Sequence, residues 1–251
     1  GDFVRTVMLL VMLMTLHAAA LAAEAGEMSV ADILVESDRA RGNLGGVSWN
    51  VDVTAVENGR TNRVSYEVKA RGHDVVAEVL APAKSKGQKI LLVKGNMWFY
   101  KPDVSKPVPV SQKQKLIGQA AYGDIATTDY ANDYDASMLP DESVDGEECY
   151  LLDLKARGRK VTYDRIRYWV SKKRKTGVRA QYFTVSGKLF KSACMEFAHQ
   201  VPAVNAQSRW FLSRMTIRNE VMPGDLTVIE LSEPSFKDLP AHVFDLNLLV
   251  K

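Results

Sequence analysis

The residues able to make or break bonds are few and scattered. Hydrolysis by a nucleophile needs a base beside a Ser or Cys, and past an N-terminal leader the chain offers His73, His199 and His242. None stands near a Gly-x-Ser-x-Gly elbow, and each reads as a surface or packing residue, His73 in a turn. There is no His-Glu-x-x-His, no Cys-x-x-Cys and no glycine-rich phosphate loop after a strand. The sequence therefore indicates no catalytic residue, no metal and no cofactor, and the expectation is a protein that is not an enzyme. Carboxylates do gather at Asp141, Glu142, Asp145, Glu147 and Glu148, but in a polar turn that reads as solvated. Lys172-Lys173-Arg174-Lys175 is a basic hairpin tip, suited to anionic headgroups or simply to solubilising a turn. With 33 Lys and Arg against 30 Asp and Glu, and no basic residues interleaved with Trp98, Trp169 and Trp210, there is no case for nucleic acid. Cys149 and Cys194 can pair in an oxidising compartment, provided their strands, with two others between, meet across the sheet or at its closure. Otherwise they are buried free thiols.

The elements that would position these residues are mostly strands. The stretch Gly87–Pro102 holds two short apolar runs, Ile90–Val93 and Met97–Tyr100, about the turn Lys94-Gly95-Asn96. A two- or four-residue turn sets Leu92 opposite Met97 and Ile90 opposite Phe99, and cross-strand partners share a face. One face of this hairpin is then wholly apolar: Ile90, Leu92, Met97 and Phe99. The other carries Leu91, Val93, Trp98 and Tyr100 with Lys89 and Asn96. Strands apolar on both faces must be covered on both.

Upstream, Met28–Arg41 reads as a helix capped by Ser29 with Asp32 behind it, stopped by Gly42, with Ile33 and Leu34 in an apolar stripe that extends to Val30 and Ser37. It is too short to stand alone. Trp49, Val51 and Val53, then Val64, Tyr66 and Val68, alternate with polar residues as half-buried strands joined by an Asn58-Gly59 turn. From Asp103 to Pro140 the strand pattern fails. Val108-Pro109-Val110 suits only an edge, Asp124–Asp133 suits a short helix capped by Asp124, and Tyr134–Leu139 extends it. The segment about 111–140 is too apolar for disorder and reads as a covering flap. After Pro140 strands resume through Glu233, and Val243-Phe244 with Leu246–Val250 make a small closing patch.

The sum is an α+β chain, mainly β: an antiparallel meander of about ten or eleven strands with one helix and one flap over it. Such a curved sheet can enclose an apolar cavity, and an acyl chain gains about 0.8 kcal/mol per buried methylene. The cavity candidates are Trp49, Val51, Tyr66, Val68, Ile90, Leu92, Met97 and Phe99; the lid candidates are Ile125, Tyr130, Tyr134 and Met138. On the residues alone, helix and flap filling that space themselves is an equal alternative. At the N-terminus Arg5, the apolar run Val7–Leu16 and Ala18–Ala23 have the form of a signal peptide over 1–22, cleaved near Ala22–Ala25. That leaves 23–251 as one exported domain, with the periplasm as its compartment.

The chain resembles the LolA-like proteins, known as outer-membrane lipoprotein-sorting proteins, in the branch associated with RND-type exporters. The resemblance rests on Lys86–Leu92, Asn96–Tyr100 with Pro102, Gln119-Ala120, Gly123–Ala126, Asp133-Tyr134, Gly146–Leu154, Tyr168-Trp169-Val170 and Ser186–Lys188. It implies an incomplete antiparallel β-barrel, a half-pipe closed by helices, whose interior takes the acyl chains of a lipoprotein or another lipid. An RND-type inner-membrane exporter is the partner it suggests, with a monomer favoured. The archetypal carrier latches its lid with an arginine, and no motif here identifies that residue. The leading expectation is a periplasmic carrier, with an RseB-like lipid-sensing domain that binds a membrane protein as the alternative.

Overall fold

The computed structural model describes residues 28–104, 106–126, 129–202 and 209–248; the leader read over 1–22 lies outside them. Helix α1 (Val30–Arg39) begins where expected: the Ser29 hydroxyl accepts the Asp32 amide at 3.1 Å. It buries Ile33, Leu34, Ser37 and Asp38, and chain reversal follows at Gly42 (φ 119°), a conformation that favours glycine.

Five strands then meander: β1 (Val47–Glu57), β2 (Arg60–Arg71), β3 (Asp74–Ala81), β4 (Lys89–Val93) and β5 (Asn96–Tyr100), ending in a three-residue strand β6 (Val108–Val110). Asn58-Gly59 and Lys94-Gly95 both take positive φ at the two turn positions, as two-residue hairpins require. The second turn sets Leu92 opposite Met97 and Ile90 opposite Phe99, the register expected from sequence.

The chain then leaves the sheet. It forms a small ladder of β7 (Lys115–Ile117) and β8 (Ala120–Ala121) and two short helices, α2 (Tyr122–Ala126) and α3 (Tyr130–Asp133). It rejoins the sheet as β9 (Tyr134–Val144), followed by β10 (Glu147–Ala156), β11 (Arg165–Ser171), β12 (Gly177–Phe183) and β13 (Leu189–Glu196). A separate ladder, β14 (His199–Val201) and β15 (Arg209–Phe211), precedes β16 (Arg214–Asn219) and β17 (Leu226–Ser235).

The main sheet has 13 strands in the order β6-β5-β4-β3-β2-β1-β17-β16-β13-β12-β11-β10-β9, with every neighbouring pair antiparallel. It does not close. β6 and β9 are its free edges, the incomplete barrel expected from sequence. Each edge contains a proline, Pro109 and Pro140, tolerable where no further strand needs the missing N–H.

One face of the sheet packs into a large apolar cluster with α1, α2 and α3. The opposite face of the β4–β5 hairpin is covered by the C-terminal segment. Phe244, in a 3₁₀ turn at Ala241–Phe244, packs on Val76 and Leu91, with Trp98, Tyr100 and Leu246 around them. The closing patch expected at Val243-Phe244 therefore covers the outer side of the hairpin.

Three expectations need correction. The 13 strands of the main sheet exceed the ten or eleven expected, because the edge piece Val108–Val110 pairs with β5 and Tyr134–Val144 is a strand and not a continuation of helix. Its residues pair with β10 from Tyr134 opposite Ala156 to Val144 opposite Glu147, and ladder bonds along that length outweigh a local helical preference. The part of the flap that leaves the sheet therefore ends at Asp133, not near 140. The third concerns Cys149 and Cys194: of the two alternatives the free thiols hold and the disulfide does not, and Cys149 is buried as expected whereas Cys194 is exposed. β11 and β12 lie between their strands, a separation of about 14 Å at ~4.8 Å per strand, twice the ~7 Å a disulfide tolerates.

The insert of residues 111–133 is pinned where it crosses the middle of the sheet. Gly118 has φ +56°, and a Cβ there would fall 2.3 Å from Thr227 Oγ1 and 2.4 Å from Ala55 Cβ. The next amide, Gln119 N–H, donates to Thr227 Oγ1 at 2.7 Å. Gly118→Ala should lower the unfolding free energy by about 1–3 kcal/mol through strain and overpacking. A urea titration with an unchanged midpoint would show that the insert does not rest on these strands.

Candidate functional site

The eight cavity candidates come together. Trp49 lies opposite Val68, and Val51 opposite Tyr66. Ala77 of β3 bridges Val68 to Ile90, and β5 adds Phe99 and Met97. Because paired residues share a face, all eight project from the concave side, two each from β1, β2, β4 and β5 with β3 between them, and all belong to the main apolar cluster, Phe99 at its margin.

Ile125 and Tyr130, on α2 and α3, are buried over this half-pipe. Tyr134 and Met138 are not on a helical lid but on edge strand β9. Met138 stands opposite Leu152 on the concave side, 37% exposed at the free edge.

A second element crosses from the far side. The loop between β10 and β11 carries buried Val161 and Tyr163 inward. Its Lys160 ammonium donates to Asn96 Oδ1 at 2.8 Å, and its carbonyl accepts from Gln112 Nε2 at 3.0 Å. Strands near one edge are thereby tied to the hairpin near the other. An open cleft of about 640 Å³ lies beside this crossing, with Met97, Trp98, Val110, Gln112 and Lys160 among its walls.

Beneath the lid sits a polar cluster that the sequence reading did not single out. Asp38 Oδ2 accepts the Ala131 amide of α3 at 2.8 Å. Three residues on, the Arg41 guanidinium lies 4.2 Å from the centre of the Tyr130 ring, within cation–π range. Helix α1 and the residue just past its end thus hold α3 by backbone amides bonded to a carboxyl and by a stacked cation. Tyr130 also meets Tyr134 and Tyr168 edge-on at 5.2 and 5.4 Å. On α2, both oxygens of Asp124 accept from the Tyr163 hydroxyl at 2.9 Å, and Oδ2 also accepts the Ala121 amide at 2.7 Å. Tyr163 stacks on Tyr182 at 3.8 Å, and the Lys191 ammonium donates to the Gln119 carbonyl at 2.6 Å.

Burial governs the charge states here. It pushes the Asp38 carboxyl up to about 8, against the pull of the Arg41 charge and of the Ala131 and Tyr130 amides. Burial likewise raises Asp124, opposed by Lys191, and lowers Lys191, opposed by Asp124.

Sequence held one signal for part of this cluster. Asp38 and Arg41 stand four and seven residues after Leu34, in register with the apolar stripe, and charges on a buried stripe call for partners. Asp124 was expected to cap a single helix over Asp124–Asp133; the structure has two, with Asp124 inside α2, where it accepts the Ala121 amide, and Asp129 capping α3. The Asp124 bond to Tyr163 had no signal in sequence.

The charged turns resolve differently. The acidic β9–β10 hairpin and the basic β11–β12 hairpin are neighbours. Lys172 pairs with Asp141, Arg174 pairs with Glu147 at 2.6 Å, and Glu142 accepts the Trp169 indole N–H at 2.9 Å. The basic tip is therefore largely spent on the acidic one. Among the described residues no group of His, Cys, Asp and Glu is arranged to hold a metal, and no helix is long and apolar enough to cross a membrane.

The model of a family described as "Uncharacterized protein" matches residues 72–251; no curated protein matches. Among solved structures, the chain is similar to a LolA superfamily protein from Nitrosomonas europaea, at 27% identity and a TM-score of 0.78 over 88% of this chain and 99% of that one. It shares its fold with a domain from Vibrio parahaemolyticus named for outer membrane lipoprotein sorting, at 16% identity, a TM-score of 0.74, and 88% and 98% coverage. A DUF1329 family protein from Desulfovibrio piger has the same fold at 23% identity, a TM-score of 0.72, and 87% and 97% coverage.

The Asp38 contact between α1 and α3 has a pH signature. Folded Asp38 keeps its proton up to about 8, whereas an unfolded aspartate loses it near 3.9. The folded state binds the extra proton between those values, so this stabilisation is full below about pH 4 and is lost as pH rises through about 8. Asp38→Asn stays neutral and keeps an oxygen for the Ala131 amide. It should flatten the fall in urea midpoint between about pH 5 and about pH 8; parallel profiles for the two proteins would rule out Asp38 as the titrating group.

Proposed function

We propose that this chain, which belongs to the LolA-like proteins, is a periplasmic carrier that takes the acyl chains of a lipid or lipoprotein into its half-pipe and releases them to a membrane partner. The observation that carries this reading is the lid. The apolar face of Trp49, Val51, Tyr66, Val68, Ile90, Leu92, Met97 and Phe99 is buried by α1, by Phe211 of the small β14–β15 ladder, and by short helices of four and five residues. Helices that short have little stability of their own. Their hold depends on a few identifiable contacts, those of Asp38, Arg41 and Asp124.

Displacing such a lid exposes apolar surface, and an incoming acyl chain restores it at about 0.8 kcal/mol per methylene. Exchange of one cover for another then needs no covalent step and no large net change in buried area. The family likeness supports a lipid or lipoprotein as cargo, and the leader-like N-terminal sequence supports the periplasm. An RND-type exporter remains the partner suggested by the resemblance, with the chain acting as a monomer.

Organic extraction of the purified protein followed by lipid mass spectrometry should recover a bound acyl lipid. In solution, the protein should take up an environment-sensitive probe such as N-phenyl-1-naphthylamine. Phe99→Asp, at the margin of the cluster, should reduce uptake about tenfold or more, since a charge facing the cavity removes over 1.4 kcal/mol of binding, while cooperative unfolding is retained. Full uptake by that variant would take this face out of the cargo site.

A further inference from the structure

Within the half-pipe, a buried indole N–H without an acceptor among the described residues lies beside a buried guanidinium. A small residual cavity, about 20 Å³, lies under the lid, between Arg41, Trp49 and Asp124 and the apolar side chains of Val51, Leu212 and Ile229. Trp49 is 4% exposed, and its indole Nε1 has no hydrogen-bond partner among the described residues. Its ring is held edge-on against Phe211 at 5.5 Å, so the indole cannot easily turn to find one. A buried N–H left without an acceptor is unfavourable and calls for an explanation. Arg41, 5% exposed, brings a permanent positive charge to the same spot. A pocket meant only for hydrocarbon would need neither group.

We infer that, once the lid moves, the floor of the half-pipe receives the anionic headgroup of the cargo lipid, held by the Arg41 guanidinium and the Trp49 indole N–H. The inference rests on the carrier reading and narrows its cargo to lipid anions, carboxylate or phosphate.

The layout of the two acids supports it. Asp124, the carboxyl that lines the cavity, belongs to α2 and so to the lid, whereas Trp49 is on β1 and Arg41 follows α1. Movement of the lid carries the resident carboxyl away and leaves both donors in place for another anion. Asp38, the second acid near Arg41, is directed at the Ala131 amide of α3 and is held toward its neutral form by burial. The closed cavity is smaller than a carboxylate, so occupation requires the same opening that admits the chain.

The test compares three ligands of equal chain length, dodecanoate, dodecyl phosphate and methyl dodecanoate, by displacement of N-phenyl-1-naphthylamine from the purified protein. One or both anions should displace the probe at about a tenfold lower concentration than the ester, the gain expected of a charge-assisted hydrogen bond. Which anion is favoured distinguishes a fatty acid from a lipid phosphate. Arg41→Gln should bring the anion-to-ester ratio towards one. Trp49→Phe, which keeps a ring against Phe211 and leaves no buried polar group at position 49, should lower that ratio several-fold. Equal displacement by anions and ester would overturn the anion site while leaving the carrier reading intact. A ratio unchanged in Trp49→Phe would overturn the part given to the indole. A protein that takes up neither probe nor any ligand would sink the carrier reading and this inference with it.

Discussion

The two free edges of the sheet are consecutive in the chain. β6 and β9 lie at opposite ends of a 13-stranded open sheet, yet only residues 111–133, which include the small β7–β8 ladder, separate them. The connection must therefore cross the mouth of the half-pipe, and a crossing chain must satisfy its own backbone groups and bury its apolar side chains. It does both by forming two short helices over the concave face. The lid is thus a consequence of topology: an open sheet with this strand order has to be spanned by its own chain.

That geometry places a polar problem inside an apolar space. Short helices leave many backbone N–H groups without intrahelical partners, and here carboxyls accept some of them, Asp38 that of Ala131 and Asp124 that of Ala121. Burying carboxyls is unfavourable for their charged forms. The cluster balances this with Arg41, Lys191 and tyrosine hydroxyls, and by holding Asp38 and Asp124 towards neutrality. An apolar lid on an apolar face would bind more tightly and open less readily. A lid held by a few polar contacts has a defined closed position and a limited number of contacts to break.

Much of the architecture was legible because it is local. The Lys94-Gly95 turn sets the β4–β5 register, and that register assigns Ile90, Leu92, Met97 and Phe99 to one face. Alternation in β1 and β2 assigns Trp49, Val51, Tyr66 and Val68 in the same way. Ser29 and Gly42 bound α1 through cap and turn chemistry. Strand β9 was missed because Tyr134–Leu139 has no clean alternation and Pro140 follows; only its pairing with β10 makes it a strand. The pairing of the acidic and basic hairpins was likewise invisible, since Asp141 and Lys172 meet only when β9 to β12 lie side by side.

Sequence by itself determined that this is an antiparallel β chain with one docked helix, which residues face inward, and that the segment after β6 covers them. These follow from turn types, period-two alternation and apolar content, all properties of a few neighbouring residues. The tertiary structure alone decided which two strands, β6 and β9, form the open edges, that the two cysteines lie apart, and that Asp38, Arg41 and Asp124 converge with a ring of tyrosines beneath the lid. Each of these depends on which distant strands become neighbours, and that is set by closing the whole sheet around one core.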